Sequence, residues 1–314
     1  MNFERFAYPL MGGLILGALL AKTTYRSYAT DAGAGLDKFG ITKLLPDNGA
    51  KWFARWDNGK ARTIKSTGTS KVAKDPSDSM CRLLCQEYSK EGNMMTIDGN
   101  GEAKLQGMHP RIYVMDGTKK WLNTEMTCYA MLVAPRVEPG SYTTFRLCTR
   151  SNHHAINQCN CNGTGYSSEF FLPSKDQRFR KELNHPHYAN WPFSSPNPAL
   201  NQWFGQKLIV YTLPDNTVHL KCLIDLTDGA NGGDWQQVGD YIDNGNWAIS
   251  SPKELENIAS DISHCKKGCL NPKPVTPYNR VILEKGIASY LRTDYVNDIR
   301  FKRFSIREII PPAA

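Results

Sequence analysis

The segment 207–225, KLIVYTLPDNTVHLKCLID, constrains the fold more than any other part of this chain because it has the pattern of a β-hairpin. Apolar side chains alternate with a mixed set on both sides of a turn that contains Pro214. Proline fixes φ, and the Asp-Asn pair that follows it tolerates turn geometry. We therefore predict a sheet with one apolar face and one mixed face that bears His219 and Lys221. The side chains predicted to point inward are those of Val218, Leu220, Cys222 and Ile224.

The rest of the chain supports an all-β fold. The 25 glycines and 18 prolines are spread over 314 residues, which suits many short strands joined by turns. We predict a two-sheet β-sandwich or jelly roll over residues 36–314. Long loops are expected at 62–77 and 185–201, a short helical segment at 80–88, and a helix at 252–265. Predicted strands include Arg111–Met115, Met126–Ala134, Ser141–Cys148, Ser168–Leu172, Arg178–Leu183, Trp235–Tyr241, Val281–Leu283, Ser289–Thr293 and Asp298–Ile309.

The amino terminus predicts a membrane segment. Residues 6–21 carry no charge and would span about 24 Å as a helix, which is short for a full crossing and suits the apolar core of a secretory signal. Residues 1–28 are therefore either a membrane anchor or a cleaved signal, with a buried core helix as a third reading. Pro9 and the Gly12-Gly13 pair favour the anchor, and residues 29–35 are a flexible linker. Basic residues after the segment favour a cytoplasmic domain by the positive-inside rule.

The chain has nine cysteines, which favour an extracytoplasmic rather than a cytoplasmic domain because disulfides persist in oxidising compartments. We therefore expect an extracytoplasmic domain with several disulfides and at least one free thiol, for which Cys222 is the best candidate. A zinc site is the alternative explanation for the pairs of cysteines that are close together in sequence, although the spacing of these pairs is irregular. The cysteines are Cys81, Cys85, Cys128, Cys148, Cys159, Cys161, Cys222, Cys265 and Cys269.

The formal net charge is +8, and the excess is diffuse. A diffuse positive charge favours an acidic polymer or an anionic membrane surface as a partner. Solubility alone is the alternative explanation for the same charge. Basic motifs with interleaved aromatic residues are missing from the sequence, so nucleic acid is not expected as a partner.

Several short motifs occur in an order that resembles a known family. The chain is similar to exported or membrane-anchored proteins, frequent in archaeal and environmental sequences, with a concanavalin A-like lectin/glucanase sandwich. The resemblance covers most of residues 36–311 and implies a fold rather than a chemistry, since such sandwiches serve lectins, glucanases, polysaccharide lyases and virus capsids. The motifs are LDKFGI at 36–41, WLNTEMT at 121–127, FRKEL at 179–183 with His185-Pro186, LID at 223–225, TDG at 227–229, NGGDW at 231–235, YLRTD at 290–294 and SIREI at 305–309.

The candidate catalytic and ligand-binding residues lie on predicted strands. None of the predicted strands carries paired carboxylates at alternate positions, which a glucanase needs. A lyase needs a cation and a Tyr or His base, for which His219, Tyr290 and Arg292 are the candidates. Ligand binding does not require a catalytic base. On three predicted strands, alternate polar side chains share one face, and these side chains form the predicted binding set: Arg178, Arg180, His219, Lys221, Tyr290 and Arg292.

Two further groups bear on ligands. An Asp/Gly-rich loop could supply oxygen ligands to calcium, although a metal-free turn explains the same residues; its members are Asp225, Asp228, Asn231 and Asp234. Tryptophans in or beside loops could stack on sugar rings or anchor the core; these are Trp191, Trp203, Trp235 and Trp247.

Three functions fit these observations. The first is recognition of a polysaccharide or glycoprotein without catalysis by a membrane-anchored, extracytoplasmic protein. The second is a structural shell protein, for example a minor capsid protein of a virus, tethered through residues 6–21 and lying between membrane and capsid in the virion. The third is a polysaccharide lyase that acts on an acidic glycan. No cofactor other than calcium is expected.

Overall fold

A computed structural model of the chain describes residues 35–66, 72–84, 92–118, 120–136, 142–152, 163–172, 174–184, 187–247 and 280–313. The regular secondary structure of these residues is β-strand, apart from one 3-10 turn at Ala230–Gly232. The strands are β1 Asp47–Phe53, β2 Arg62–Ser66, β3 Val72–Asp75, β4 Asp78–Leu84, β5 Asn93–Ile97, β6 Glu102–Gly107, β7 Arg111–Val114, β8 Thr124–Pro135, β9 Thr143–Ser151, β10 Gly165–Leu172, β11 Asp176–Asn184, β12 His187–Ser194, β13 Phe204–Thr212, β14 Val218–Asp225, β15 Gln236–Asp243, β16 Ala288–Asp294 and β17 Val296–Ile309.

The strands form two sheets, which confirms the predicted all-β, two-sheet sandwich. A nine-stranded sheet has the order β15-β14-β13-β8-β17-β6-β5-β2, with β1 paired to β17 as well. An eight-stranded sheet has the order β12-β11-β10-β9-β16-β7-β4-β3. Many neighbours in both sheets are distant in sequence, so the order depends on long-range pairing.

The main core lies between the sheets. Phe145 of β9 packs against Phe204 of β13 and Phe301 of β17, with ring centroids 5.9 and 5.4 Å apart. Each strand therefore has an inner face toward this core and an outer face. The inward side chains predicted for the hairpin are confirmed, because they are all buried in the core: Val218, Leu220, Cys222 and Ile224.

The predicted hairpin is β13 and β14. Thr212 pairs with Val218, and the Leu213 N–H donates to the Thr217 carbonyl at 2.9 Å. Asn216 has φ of 62°, a left-handed conformation that asparagine tolerates better than most residues. The outer face of this hairpin is mixed, as predicted.

Residues 35–46 cover part of the outer face of the nine-stranded sheet. Ile41 joins a second buried cluster there that includes Tyr129, Ile209 and Trp235. Beneath the segment, Glu125 is fully buried, and its carboxylate accepts hydrogen bonds from Lys207 Nζ at 2.8 Å and Arg307 Nη2 at 2.7 Å. This face thus combines an apolar cluster with a buried ion-pair network.

Four local predictions are wrong. The 62–77 loop contains β2 and β3, and the 185–201 loop contains β12. The described part of the 80–88 segment belongs to β4 rather than a helix, and 281–283 is not a strand. β2, β3 and β12 each end a sheet, where polar or proline-containing sequences are tolerated because one edge needs no strand partner.

The membrane segment at 6–21 and the helix at 252–265 lie outside the described residues. Among the residues that the structure does describe, no helix has the length and apolar character needed to cross a membrane.

Four of the nine cysteines lie in described residues, and all four are buried free thiols: Cys81, Cys128, Cys148 and Cys222. The prediction of a buried thiol at Cys222 is confirmed, whereas the prediction of disulfides finds no support in these four positions. Burial raises the pKa of Cys148 and of Cys222 to about 12. Their thiols therefore stay protonated at neutral pH and are poor nucleophiles.

Thiol labelling checks this assignment. In the folded protein without reductant, we expect a maleimide to leave these four cysteines unlabelled because they are buried and protonated. In denaturant without reductant, all four should be labelled, as read by peptide mass spectrometry. Labelling that requires a reductant would show that they are disulfide-bonded.

Candidate functional site

The predicted binding residues lie on two different sheets. His219 and Lys221 are on β14, on the outer face of the nine-stranded sheet. Arg178 and Arg180 of β11, with Tyr290 and Arg292 of β16, lie on the outer face of the eight-stranded sheet. The structure therefore brings four of the six together and separates the lyase candidate His219 from Tyr290 and Arg292.

His219 belongs to a local hydrogen-bond chain. Its Nδ1 lies 2.9 Å from the Tyr211 hydroxyl, and its Nε2 lies 2.6 Å from Asp240 Oδ1. Lys221 pairs with Asp240 in the strand register. Both ring nitrogens of His219 are thus engaged with neighbours on the same sheet.

A row of charged side chains crosses the outer face of the eight-stranded sheet. Strand register places Arg178 opposite Glu169, Glu169 opposite Arg146, Arg146 opposite Arg292, and Arg292 opposite Arg111. Directly opposite residues have Cβ atoms about 4.5–5.5 Å apart, so these groups interact. We call this surface the arginine–tyrosine face and define it as Arg111, Tyr113, Arg146, Glu169, Arg178, Arg180, Tyr188, Tyr290, Arg292 and Asp294.

Glu169 organises one half of this face. Its buried carboxylate accepts hydrogen bonds from Arg146, Arg178 and Arg180, the last at 3.2 Å. Burial alone would raise the pKa of Glu169, but Arg146, Arg180 and Arg178 together lower it to about 2. One carboxylate thus fixes three guanidinium groups.

Asp294 organises the other half. Its carboxylate accepts from Arg292 Nε at 2.7 Å and from Thr144 Oγ1 at 2.8 Å, and it lies 2.7 Å from His109 Nδ1. Burial would raise the pKa of Asp294, but Arg292 and then the His109 hydrogen bond hold it well below its ordinary value. The Asp294 carboxylate is therefore ionised and already bound by Arg292, Thr144 and His109.

Tyrosine rings lie among the arginines. The rings of Tyr113 and Tyr290 are 5.0 Å apart, and the Arg180 guanidinium lies 3.9 Å from the centroid of Tyr188. Burial, with smaller contributions from Cys148 and Glu182, raises the pKa of Tyr290 well above its ordinary value. Its phenol keeps its proton at neutral pH and suits a hydrogen-bonding role better than that of a base.

The face is partly open to solvent. Side-chain exposure is 28% for Arg178, 13% for Arg180 and 12% for Arg292. Arg111, Tyr113, Arg146 and Tyr290 are almost fully buried. The accessible guanidinium groups are thus held rigidly against a buried polar layer.

The loop after β14 uses its acidic residues for its own structure. The Asp225 carboxylate accepts from Tyr129 Oη at 2.8 Å and from the backbone N–H groups of Thr227, Gly229 and Asp234. Asp228 instead pairs with Lys302 at 2.8 Å. Within the described residues, no cluster of three His, Cys, Asp or Glu side chains could hold a metal ion.

Most of the tryptophans serve packing. Trp235 and Trp247 are buried, and Lys302 Nζ lies 4.1 Å from the ring centroid of Trp203. Trp191 is 44% exposed, and its ring centroid lies 4.4 Å from that of Tyr241 across the β12 and β15 edges. Trp191 is therefore the tryptophan of this set best placed to meet a sugar ring.

Sequence reasoning missed several members of the face. A detectable signal for Arg146 is present in β9, where polar and apolar residues alternate over 144–147. The missed residues are Arg111, Tyr113, Arg146, Glu169, Tyr188 and Asp294.

Comparisons with known proteins give structural similarities only. No protein-family model matches the chain, and a search of curated proteins finds no match. A Bacillus subtilis protein of unknown function, described as having a galectin-like fold, has a TM-score of 0.41 and 10% identity over 86% of this chain and 100% of its own. The binding domain of botulinum neurotoxin serotype D has a TM-score of 0.35 and 10% identity over 79% of this chain and 48% of its own.

Proposed function

We propose that this protein recognises a glycan, as a free polysaccharide or on a glycoprotein, through the arginine–tyrosine face and without catalysis. The observation that carries the proposal is the grouping of Arg178, Arg180, Tyr290 and Arg292 with further arginines and tyrosines on one face of one sheet.

The chemistry of the face suits sugars. Partly exposed guanidinium groups donate several hydrogen bonds in a fixed plane, which matches hydroxyl and acidic substituents. Tyr188, stacked with Arg180, is one of the aromatic rings of this face, and such rings can pack against the apolar side of a sugar. Because β11 and β16 hold these groups, little ordering is needed on binding.

The two alternatives gain less support. A lyase built on His219, Tyr290 and Arg292 would need groups that lie on different sheets. A shell role would need an assembly surface, for which the described residues offer no specific observation. Membrane anchorage and an extracytoplasmic location accompany the proposal as predictions.

A glycan panel tests the proposed function. The full-length chain should bind at least one class of polysaccharide or glycoprotein glycan, and the double variant R178Q/R180Q should lose affinity by about tenfold or more, because two charge-assisted contacts are removed.

The matched control is R55Q/R300Q, which removes the same charge from one exposed and one partly exposed position away from the face. Absence of binding to every glycan would refute the proposal. An equal loss in the control would show that net charge, and not this face, determines binding.

A further inference from the structure

Arg111 is an unusual member of the arginine–tyrosine face. It lies on β7 opposite Arg292 and Leu84, and it is 0% exposed. Its Nε, Nη1 and Nη2 atoms have no hydrogen-bond partner in the part of the chain that the structure describes. A guanidinium group buried in this way loses its hydration without compensation, which costs several kcal/mol in general.

The nearby carboxylates are already engaged. Asp294 binds Arg292, Thr144 and His109, and Glu169 binds Arg146, Arg178 and Arg180. Burial and then the positive charge of Arg292 lower the pKa of Arg111, and the charge of Asp294 opposes this shift without a hydrogen bond between Asp294 and Arg111. An added anionic group would relieve both the missing hydrogen bonds and the charge imbalance.

The geometry of the neighbours suits an oxyanion. Arg111 and Arg292 are directly opposite each other on adjacent strands, and the tyrosine pair Tyr113 and Tyr290 occupies the next row. Guanidinium groups bind the paired oxygens of carboxylates and related anions in a planar, bidentate manner. Arg292 keeps some exposure, which gives a ligand an approach to this end of the face.

We infer that Arg111, together with Arg292, binds one carboxylate or sulfate group of the glycan, so that the ligand class is an acidic polysaccharide. The inference rests on the proposed function and adds the anionic substituent. Hydroxyl contacts elsewhere on the face would orient the sugar rings, and Arg111 would discriminate acidic from neutral chains.

Calorimetric titration of the full-length chain tests the inference. The probes are an oligouronate, the same oligosaccharide with its carboxyl groups reduced to alcohols, and a sulfated oligosaccharide. The unmodified protein should bind the oligouronate or the sulfated probe at least about tenfold more tightly than the reduced one. The stronger of the two acidic probes identifies the anion.

The second part of this test repeats the titrations with the variant Arg111→Met. This variant should weaken binding of the acidic probe by much more than binding of the reduced probe, so that the preference for the acidic probe disappears. It should also raise the melting temperature of the ligand-free protein, since it replaces an unpartnered buried charge with an apolar group. Arg300→Met, at a partly exposed position on the other sheet, is the control and should change neither property. If Arg111→Met does not fold, Arg111→Lys keeps the charge, loses the bidentate geometry and should still weaken acidic binding.

The outcomes separate the two claims. Equal binding of acidic and reduced probes, or an acidic preference that survives the Arg111 variants, would overturn the inference and leave glycan recognition standing. Failure to bind any probe here or on the wider panel would overturn glycan recognition itself.

Discussion

Glu125→Gln should lower the free energy of unfolding by about 3–5 kcal/mol, the range expected when one member of a buried ion pair is removed. Glu125 and Lys207 are both 0% exposed, and Arg307 binds the second carboxylate oxygen. Burial alone would raise the pKa of Glu125, but Lys207, Lys43 and Arg307 lower it to about 2. The variant leaves two cations buried without their shared anion. Urea unfolding followed by tryptophan fluorescence measures the loss.

Asp47→Asn is the matched control, because Asp47 and Lys51 form an ion pair at 2.7 Å with about two-fifths of each side chain exposed. An exposed pair contributes only about 0–1 kcal/mol. The double variant E125Q/K207M should recover part of the loss, because it removes a cation together with its anion. Equal effects of Glu125→Gln and Asp47→Asn would contradict the assigned role of this network.

Glu169→Gln should be similarly costly, about 3–5 kcal/mol, because it leaves Arg146 buried without its anion and frees Arg178 and Arg180. Glu284→Gln is the control, since Glu284 pairs with Arg280 at 2.9 Å on an exposed site. A loss no larger than in this control would show that Glu169 does not organise the face.

The pH dependence gives Glu169 a second signature. Its pKa in the folded protein is lowered to about 2 from an ordinary value of 4.5. A lowered pKa stabilises the folded state above the unfolded-state pKa, and this stabilisation disappears as the pH falls from about 4.5 toward 2. The stability difference between the unmodified protein and Glu169→Gln should therefore be constant from pH 5 to 7, about the range in which Glu169 is ionised in both states, and should shrink in acid. A difference independent of pH would contradict this.

Regular alternation made the hairpin and several central strands predictable from sequence. β13 and β14 alternate clearly because one side of each faces the core. β2, β3 and β12 carry weaker patterns because each ends a sheet, so their polar or proline-containing sequences resemble those of loops.

The candidate site was only partly predictable because it depends on strand order. Alternation places Arg178, Arg180, Tyr290 and Arg292 on outer faces, but it does not specify which sheet they share. Arg111 lies beside Arg292 only because β7 pairs with β16, which is distant in sequence. Alternation likewise places His219 on an outer face, but it does not show that His219 belongs to the nine-stranded sheet and the four other residues to the eight-stranded sheet.

Arginine footprinting with phenylglyoxal tests most directly whether the arginine–tyrosine face is the glycan site. Peptide mass spectrometry would follow modification with and without the best acidic oligosaccharide from the panel. We predict that the ligand slows modification of Arg178, Arg180 and Arg292 and leaves the exposed Arg55 and the partly exposed Arg300 unaffected. Protection confined to Arg55 or Arg300, or no protection of the face at saturating ligand, would contradict the assignment.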